Sequence, residues 1–274
     1  MPVATTHDLT WGSTTVTKRY SRWSRGEPRR EWQALQLLHS RVPDLVPVPL
    51  ECDLGQTAPF VTMSRIPGTP LGADQDDITP ACLDATAEAL RTLHDAVSPA
   101  ELSALPERWW AAETGITEIR GWADAEQSRA DLSTLASSVQ EALGAGVRWV
   151  AGLPAELATP TRPVFARADG NAANLLWDGE RVRIVDFEDA GVSDLAYEVA
   201  DTVEHLSVWS DAGIEADDLL GRLALTSSEQ SRVAEFRRLF AFFWLLMLLP
   251  GNPAHHRNPP GTLDGQASRL LRLL

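Results

Sequence analysis

A carboxylate, an amide five residues on and a second carboxylate beyond a predicted hairpin are the side chains most able to act together: Asp169, Asn174 and Asp186. A carboxylate beside a substrate hydroxyl orients it and takes its proton as an electrophile arrives. Magnesium prefers hard oxygen ligands, usually a carboxylate or two completed by phosphate oxygens. Asp169 is therefore the candidate base, and Asn174 and Asp186 the candidate metal ligands, one neutral and one charged. A base and a metal pair so spaced suit the transfer of a phosphoryl group. Singly, each residue reads as readily as strand or turn punctuation; the combination carries the reading.

Two short strands must bring these groups together. Leu175-Leu176-Trp177 and Arg181-Val182-Arg183-Ile184-Val185 have strand character, and Asp178-Gly179 between them predicts a two-residue turn with both central residues at positive φ. Folding back there places Asp186 beside Asn174.

The stretch from Phe165 to Glu204 contains Arg167-Ala168-Asp169-Gly170-Asn171-Ala172-Ala173-Asn174, then Asp186-Phe187-Glu188-Asp189-Ala190-Gly191-Val192-Ser193-Asp194-Leu195-Ala196. It resembles the aminoglycoside phosphotransferase family, itself similar in fold to protein kinases and choline kinases. That family's pattern runs His-Gly-Asp-x4-Asn, then Ile-Asp-Phe/Trp-Glu, then Gly-Asp-Pro-x-x-Asp-Leu-Ala. The resemblance implies an α+β, two-lobed protein-kinase-like fold. A small, shortened β-rich lobe would span residues 1–63, a hinge 64–71, and a larger, mainly helical lobe 72–274. It also implies ATP or GTP with Mg2+ as cofactors, and transfer of the γ-phosphate to a hydroxyl of a small, cationic molecule such as an aminoglycoside or a related metabolite. Three departures stand out: Arg167 for His, Ala168 for Gly, and Leu195 for the Pro after Asp194. Arg167 joins the candidate catalytic set, holding Asp169 or a phosphate through charge-assisted hydrogen bonds, or depressing the basicity of Asp169 as a neighbouring cation. Asp194 is implied as a brace of the catalytic loop.

The remaining elements follow from this resemblance and from periodicity. Residues 13–18 alternate as a strand, with Lys18 as the candidate phosphate-holding lysine and Arg19 a rival on the opposite face. A helix from about Gly26 to Ser40 places Glu31, Leu35 and Leu38 on one stripe, so Glu31 needs a cationic partner, which Lys18 would be. Gly12-Ser13-Thr14 is either a weak nucleotide loop or a plain turn. Strands are expected at 45–50 and 59–63. Met63, Ser64 and Arg65 open the hinge, whose backbone would meet the base edge. From Thr79-Pro80 onward the chain reads as helical, with Thr79 as cap, and His94 as a structural residue. Glu188, Asp189, Asp201 and Glu204 are expected to ring a cationic acceptor, with Trp209 stacking on it.

Composition bounds the rest. A net charge of −14 and a pI near 4.8 argue against a nucleic-acid partner and fit a cationic ligand. Cys52 and Cys82 form no disulfide framework or zinc pattern. No leader pattern precedes residue 5, and the apolar run 239–249 is too short to span a bilayer, so a cytoplasmic enzyme with no membrane partner is expected. Nothing in the sequence fixes the oligomeric state. Two other readings stay open: a catalytically impaired kinase-like nucleotide- or ligand-binding protein, favoured by Arg167 and the short first lobe, and an interaction protein that keeps only the fold.

Overall fold

The computed structural model describes residues 7–55, 57–73, 78–127, 133–252 and 254–274. β1 (His7–Trp11) and β2 (Thr15–Tyr20) form an antiparallel hairpin. β-Branched residues fit a pleated surface, and along β2 Val16, Lys18 and Tyr20 turn inward. The chain then enters α1 (Glu27–Arg41), with Gly26 in the left-handed region at φ 79° and Pro28 in the first turn, where its missing N–H costs nothing. β3 (Pro49–Asp53) and β4 (Phe60–Ser64) complete a four-stranded sheet in the order β1-β2-β4-β3. β3 starts four residues later than expected, because Pro47 has no N–H to offer a ladder. Glu31, Leu35 and Leu38 of α1 are all buried, as their spacing requires.

Residues 65–68 connect this sheet to β5 (Thr69–Pro70). The larger part that follows is mainly helical: α2 (Pro80–His94), α3 (Pro99–Leu102), α4 (Ala112–Gln127) and α5 (Ser137–Ala151) lead to β6 (Pro163–Ala166). Thr79 caps α2 by accepting from the Cys82 N–H at 3.2 Å. β7 (Leu175–Trp177) and β8 (Val182–Ile184) form the expected hairpin, which β5 extends, and β9 (Gly191–Asp194) returns to pair with β6. The hairpin turn differs from the expected one. Four residues, 178–181, separate the strands, with Gly179 at φ 96° and the Asp178 carboxylate accepting from the Glu180 and Arg181 N–H groups. That side-chain turn removes the need for a second left-handed residue.

α6 (Leu195–Glu204) is buried along its whole length. It is followed by α7 (Leu206–Trp209), α8 (Ala216–Leu220), α9 (Ser227–Leu248) and α10 (Thr262–Leu273). α6 packs on α9, with the Tyr197 ring 5.0 and 4.8 Å from those of Phe236 and Phe240. The apolar run lies mainly in α9 and the residue after it; among the described residues no helix is long and apolar enough to cross a membrane.

Candidate active site

β6 delivers the chain to residues 167–174, and α6 holds that loop in place. Glu198 Oε1 accepts from the Arg167 and Ala168 N–H groups at 3.0 and 3.1 Å. Arg108, buried between Glu198 and Asp201 at 2.7 Å from each, also donates to the Ala168 carbonyl at 3.1 Å. Ala168 sits at φ 69°, a left-handed conformation that suits the glycine of the family pattern. Gly170 lies so close to α6 that a Cβ there would meet the Asp201 carbonyl at 2.2 Å.

This loop presents Asp169 with its side chain one-third exposed. Its carboxylate accepts from the Asn171 N–H at 3.0 Å and from Asn174 Nδ2 at 2.6 Å. Because Asn174 gives its amide nitrogen to Asp169, its carbonyl oxygen is left for another partner. His205 Nε2 stands 3.8 Å from Asp169 Oδ1. Its Nδ1 lies 2.8 Å from Ser207 Oγ and 3.2 Å from the Ser207 N–H. Burial lowers the pKa of His205 and favours the neutral imidazole, although Asp169 and Asp201 oppose it.

Two residues beyond β8 comes Asp186, itself left-handed at φ 69°. Lys18 Nζ lies 2.5 Å from Asp186 Oδ1, 2.8 Å from Glu31 and 2.8 Å from Glu188. Glu31 also accepts from the Tyr20 hydroxyl and, at 3.4 Å, from the Phe187 N–H. Burial alone would discharge Lys18, but Asp186, Glu31 and Glu188 together raise its pKa well above the usual value. Burial would likewise raise Asp186, and Lys18 more than reverses that. Glu188 is pushed up to about 7, by burial first, with Lys18 opposing and Asp186 reinforcing. The oxygens of Glu31, Asp186 and Glu188 lie within 4.8 Å of one another. One ammonium thus faces three clustered carboxyl groups, an excess of negative charge that a divalent cation would offset. With the free Asn174 oxygen, the donors are all hard oxygens and fit magnesium.

Lys18, Glu31, Asn174 and Asp186 line one cavity of about 290 Å³, and Met63, Ser64 and Arg65 line its other end. The structure thus brings the predicted base, metal ligands, lysine–glutamate pair and hinge residues to one place. The hinge donors need correction. The Ser64 and Arg65 N–H groups are already given to the Val48 and Thr14 carbonyls at 2.9 and 2.8 Å. Ile66, which also lines the cavity, has its N–H in no backbone hydrogen bond. The turn at Gly12-Ser13-Thr14 lies at this hinge end through that Arg65 contact, away from Lys18.

The expected acidic ring does not assemble, because each member is already paired. Glu188 is on Lys18, Asp189 is 3.2 Å from Arg25, and Asp201 is on Arg108. Glu204 is fully buried between Arg237 at 2.7 Å and Arg269 at 2.5 Å. A helix buried on all sides offers no wall to a ligand, so Asp201 and Glu204 are structural ion pairs. Asp189, pushed to about 6 chiefly by burial against the pull of Arg25, is partly exposed and stays a candidate acceptor contact. Trp209 packs on Gly265 with the Arg269 guanidinium 5.8 Å from its ring centre.

Arg167 is buried and touches neither Asp169 nor the cavity; its Nη1 donates to the Asn171 carbonyl at 3.1 Å, and its Nε and Nη2 have no partner. It is a positioning residue of the loop. The brace expected of Asp194 belongs to Glu198. Asp194 instead accepts from the N–H groups of Thr161, Arg162 and Ala196, and pairs with Arg232 at 3.3 Å. The signal was present: aligning the family's Gly-Asp-Pro-x-x-Asp on Asp194 puts its second acid at Glu198.

The family model described as the phosphotransferase enzyme family, APH, matches residues 5–236. The chain belongs to this family. No curated protein matches it in sequence. Among solved structures, a choline/ethanolamine kinase family protein from Mesorhizobium loti is 18% identical with a TM-score of 0.65, over 99% of this chain and 86% of its own. The GDP and kanamycin complex of APH(2")-IIIa is 16% identical with a TM-score of 0.66, over 100% and 91% of the two chains. The ADP-bound aminoglycoside phosphotransferase APH(2'')-Ib is 16% identical with a TM-score of 0.62, also over 100% and 91%. At these identities the likeness is one of fold, and this phosphotransferase shares the kinase-like architecture of all three.

Proposed function

We propose that this phosphotransferase transfers the γ-phosphate of ATP or GTP to a hydroxyl of a small, cationic molecule. The observation that carries this reading is the single network joining Asp169 to Asn174, at the mouth of a cavity that also holds Asp186, Lys18 and Glu31. The base end of the cavity has apolar walls in Leu9, Val16, Met63 and Leu176, and the Ile66 N–H offers one donor to a base edge. Lys18 is held charged and positioned by Glu31. Asn174 and Asp186 would hold Mg2+, which when bound offsets the charge of the triphosphate. Asp169 is fixed by two hydrogen bonds and reaches solvent, so an acceptor hydroxyl can approach its free side and give up its proton. Asp169 and Asp189 supply negative charge on the acceptor side, the solved neighbours include a kanamycin complex, and the net charge of −14 would draw a cation inward.

Calorimetric titration of wild type and Asp186→Ala with MgATP and MgGTP tests the nucleotide site. Metal-dependent binding to the wild type and its loss in the variant are expected. Asp169→Asn should keep that binding and lose transfer to hydroxylated amines by about a hundredfold or more. Full transfer by Asp169→Asn would overturn the assignment of the base. Binding without transfer to any acceptor would favour the nucleotide-binding reading, to which the absence of a glycine-rich turn near Lys18 among the described residues also points.

A further inference from the structure

The roof of the cavity has two unlike ends. β1 contributes His7, Leu9 and Trp11, alternate residues on one strand face, and all three line the cavity. Register places Leu9 opposite Lys18 and Trp11 opposite Val16. At about 3.3 Å per residue, His7 therefore lies about 7 Å past the partner of Lys18, on the side away from the hinge. Toward the hinge the roof is apolar and ends in Trp11, with the Arg65 guanidinium 5.6 Å from its ring centre. Away from the hinge, His7 Nδ1 stands 3.8 Å from Glu188 Oε2, the oxygen that is 2.8 Å from Lys18 Nζ. The hairpin turn at 12–14 is tied to Arg65 at the other end of the strand.

A base seated under Leu9 and Trp11 would send its phosphates toward Lys18 and Asp186, and so beneath His7. We propose that His7 is a phosphate ligand, its imidazole donating from the roof to the terminal phosphates of a nucleoside triphosphate. This assignment rests on the nucleotide reading above. Its chemical basis is division of labour. Lys18 is shared among three carboxylates, and phosphoryl oxygens accept several hydrogen bonds at once, so a second donor on the neighbouring strand of the same roof adds to their coordination. A hydrogen bond to a charged acceptor is worth about tenfold to a hundredfold in affinity. The nucleoside portion does not reach His7 and should not sense it.

The test is calorimetry on the full chain with MgATP, MgADP and adenosine, comparing wild type, His7→Ala and His7→Lys. His7→Ala should bind MgATP about tenfold or more weakly and adenosine within about twofold of wild type. His7→Lys, which restores a donor at the roof, should recover most of the loss. MgATP affinity unchanged in His7→Ala, adenosine weakened as much as MgATP, or His7→Lys no better than His7→Ala would each overturn the assignment. A wild type that binds MgATP beside an unaffected His7→Ala sinks the role of His7 alone. A wild type that binds no nucleotide sinks the reading on which it rests.

Discussion

Replacing Arg108 by Met isolates the ion cluster that holds the catalytic loop. The guanidinium is buried, 2.7 Å from both Glu198 and Asp201, and 4.9 Å from the centre of the Tyr197 ring. Met fills much of the volume but leaves two buried carboxylates without a cation. Breaking a buried pair by removing one partner costs about 3–5 kcal/mol. Against a whole-domain stability of about 5–15 kcal/mol that is a large fraction, and it corresponds to a fall in Tm of about 10 °C. The dependence on pH fixes the mechanism. Burial already holds the Asp201 pKa above the ordinary value, with Arg108 opposing, and removing Arg108 raises it further. The folded variant then binds a proton that the unfolded chain has released, so its stability falls as pH rises from about 4 through the raised folded value. Urea unfolding at pH 5.0 and 7.5 reads this directly: the deficit relative to wild type should be smaller at pH 5.0. A loss below about 1 kcal/mol at pH 7.5, or a deficit that widens on acidification, would refute the argument.

Two further outcomes follow from local geometry. Ala168→Gly should stabilise the protein by about 0.5–1 kcal/mol, since a left-handed alanine costs about 1–2 kcal/mol and the freer unfolded chain returns only about 0.4–1; a lowered Tm would contradict the φ of 69°. His94 is buried and its pKa is lowered to about 4, by burial first, with Arg162 and Arg167 adding to the fall against Asp95. Between about pH 6.5 and 4 the unfolded chain takes up a proton that the folded one refuses, so up to about 3 kcal/mol of stability is lost as pH falls through that window. His94→Leu should flatten this acid limb in urea unfolding, and an unchanged limb would show that His94 is protonated in the folded protein.

Where chemistry and local pattern coincide, the sequence was readable. Asp169 stands five residues before Asn174, and a hairpin bounded by a turn at Asp178-Gly179 joins Asn174 to Asp186. Lys18 and Glu31 each sit on an inward stripe, and a buried charge implies its partner. What failed was long-range pairing. Nothing in the periodicity of α6 says that Arg108, Arg237 and Arg269, 33 to 93 residues from the acids they pair with, would claim those acids, because ion pairs across a core leave no mark on either segment alone. An acidic helix therefore read as a ligand wall. The extent of β3 and the direction of the first hairpin turn were lost for a similar reason: a strand's neighbours, not its residues, decide which of its ends meets the site.

The burial of α6 also constrains how this protein can change. Glu198, Asp201 and Glu204 answer to arginines from three other segments: the approach to α4, α9 and α10. Neutralising Glu204 strands the buried Arg269, and neutralising Glu198 or Asp201 leaves Arg108 with one of its two acids, so a change here calls for a compensating one on the arginine side. New acceptor preferences would then arise more easily on the exposed surfaces around Asp169 and Asp189, leaving the helix beneath as a fixed scaffold.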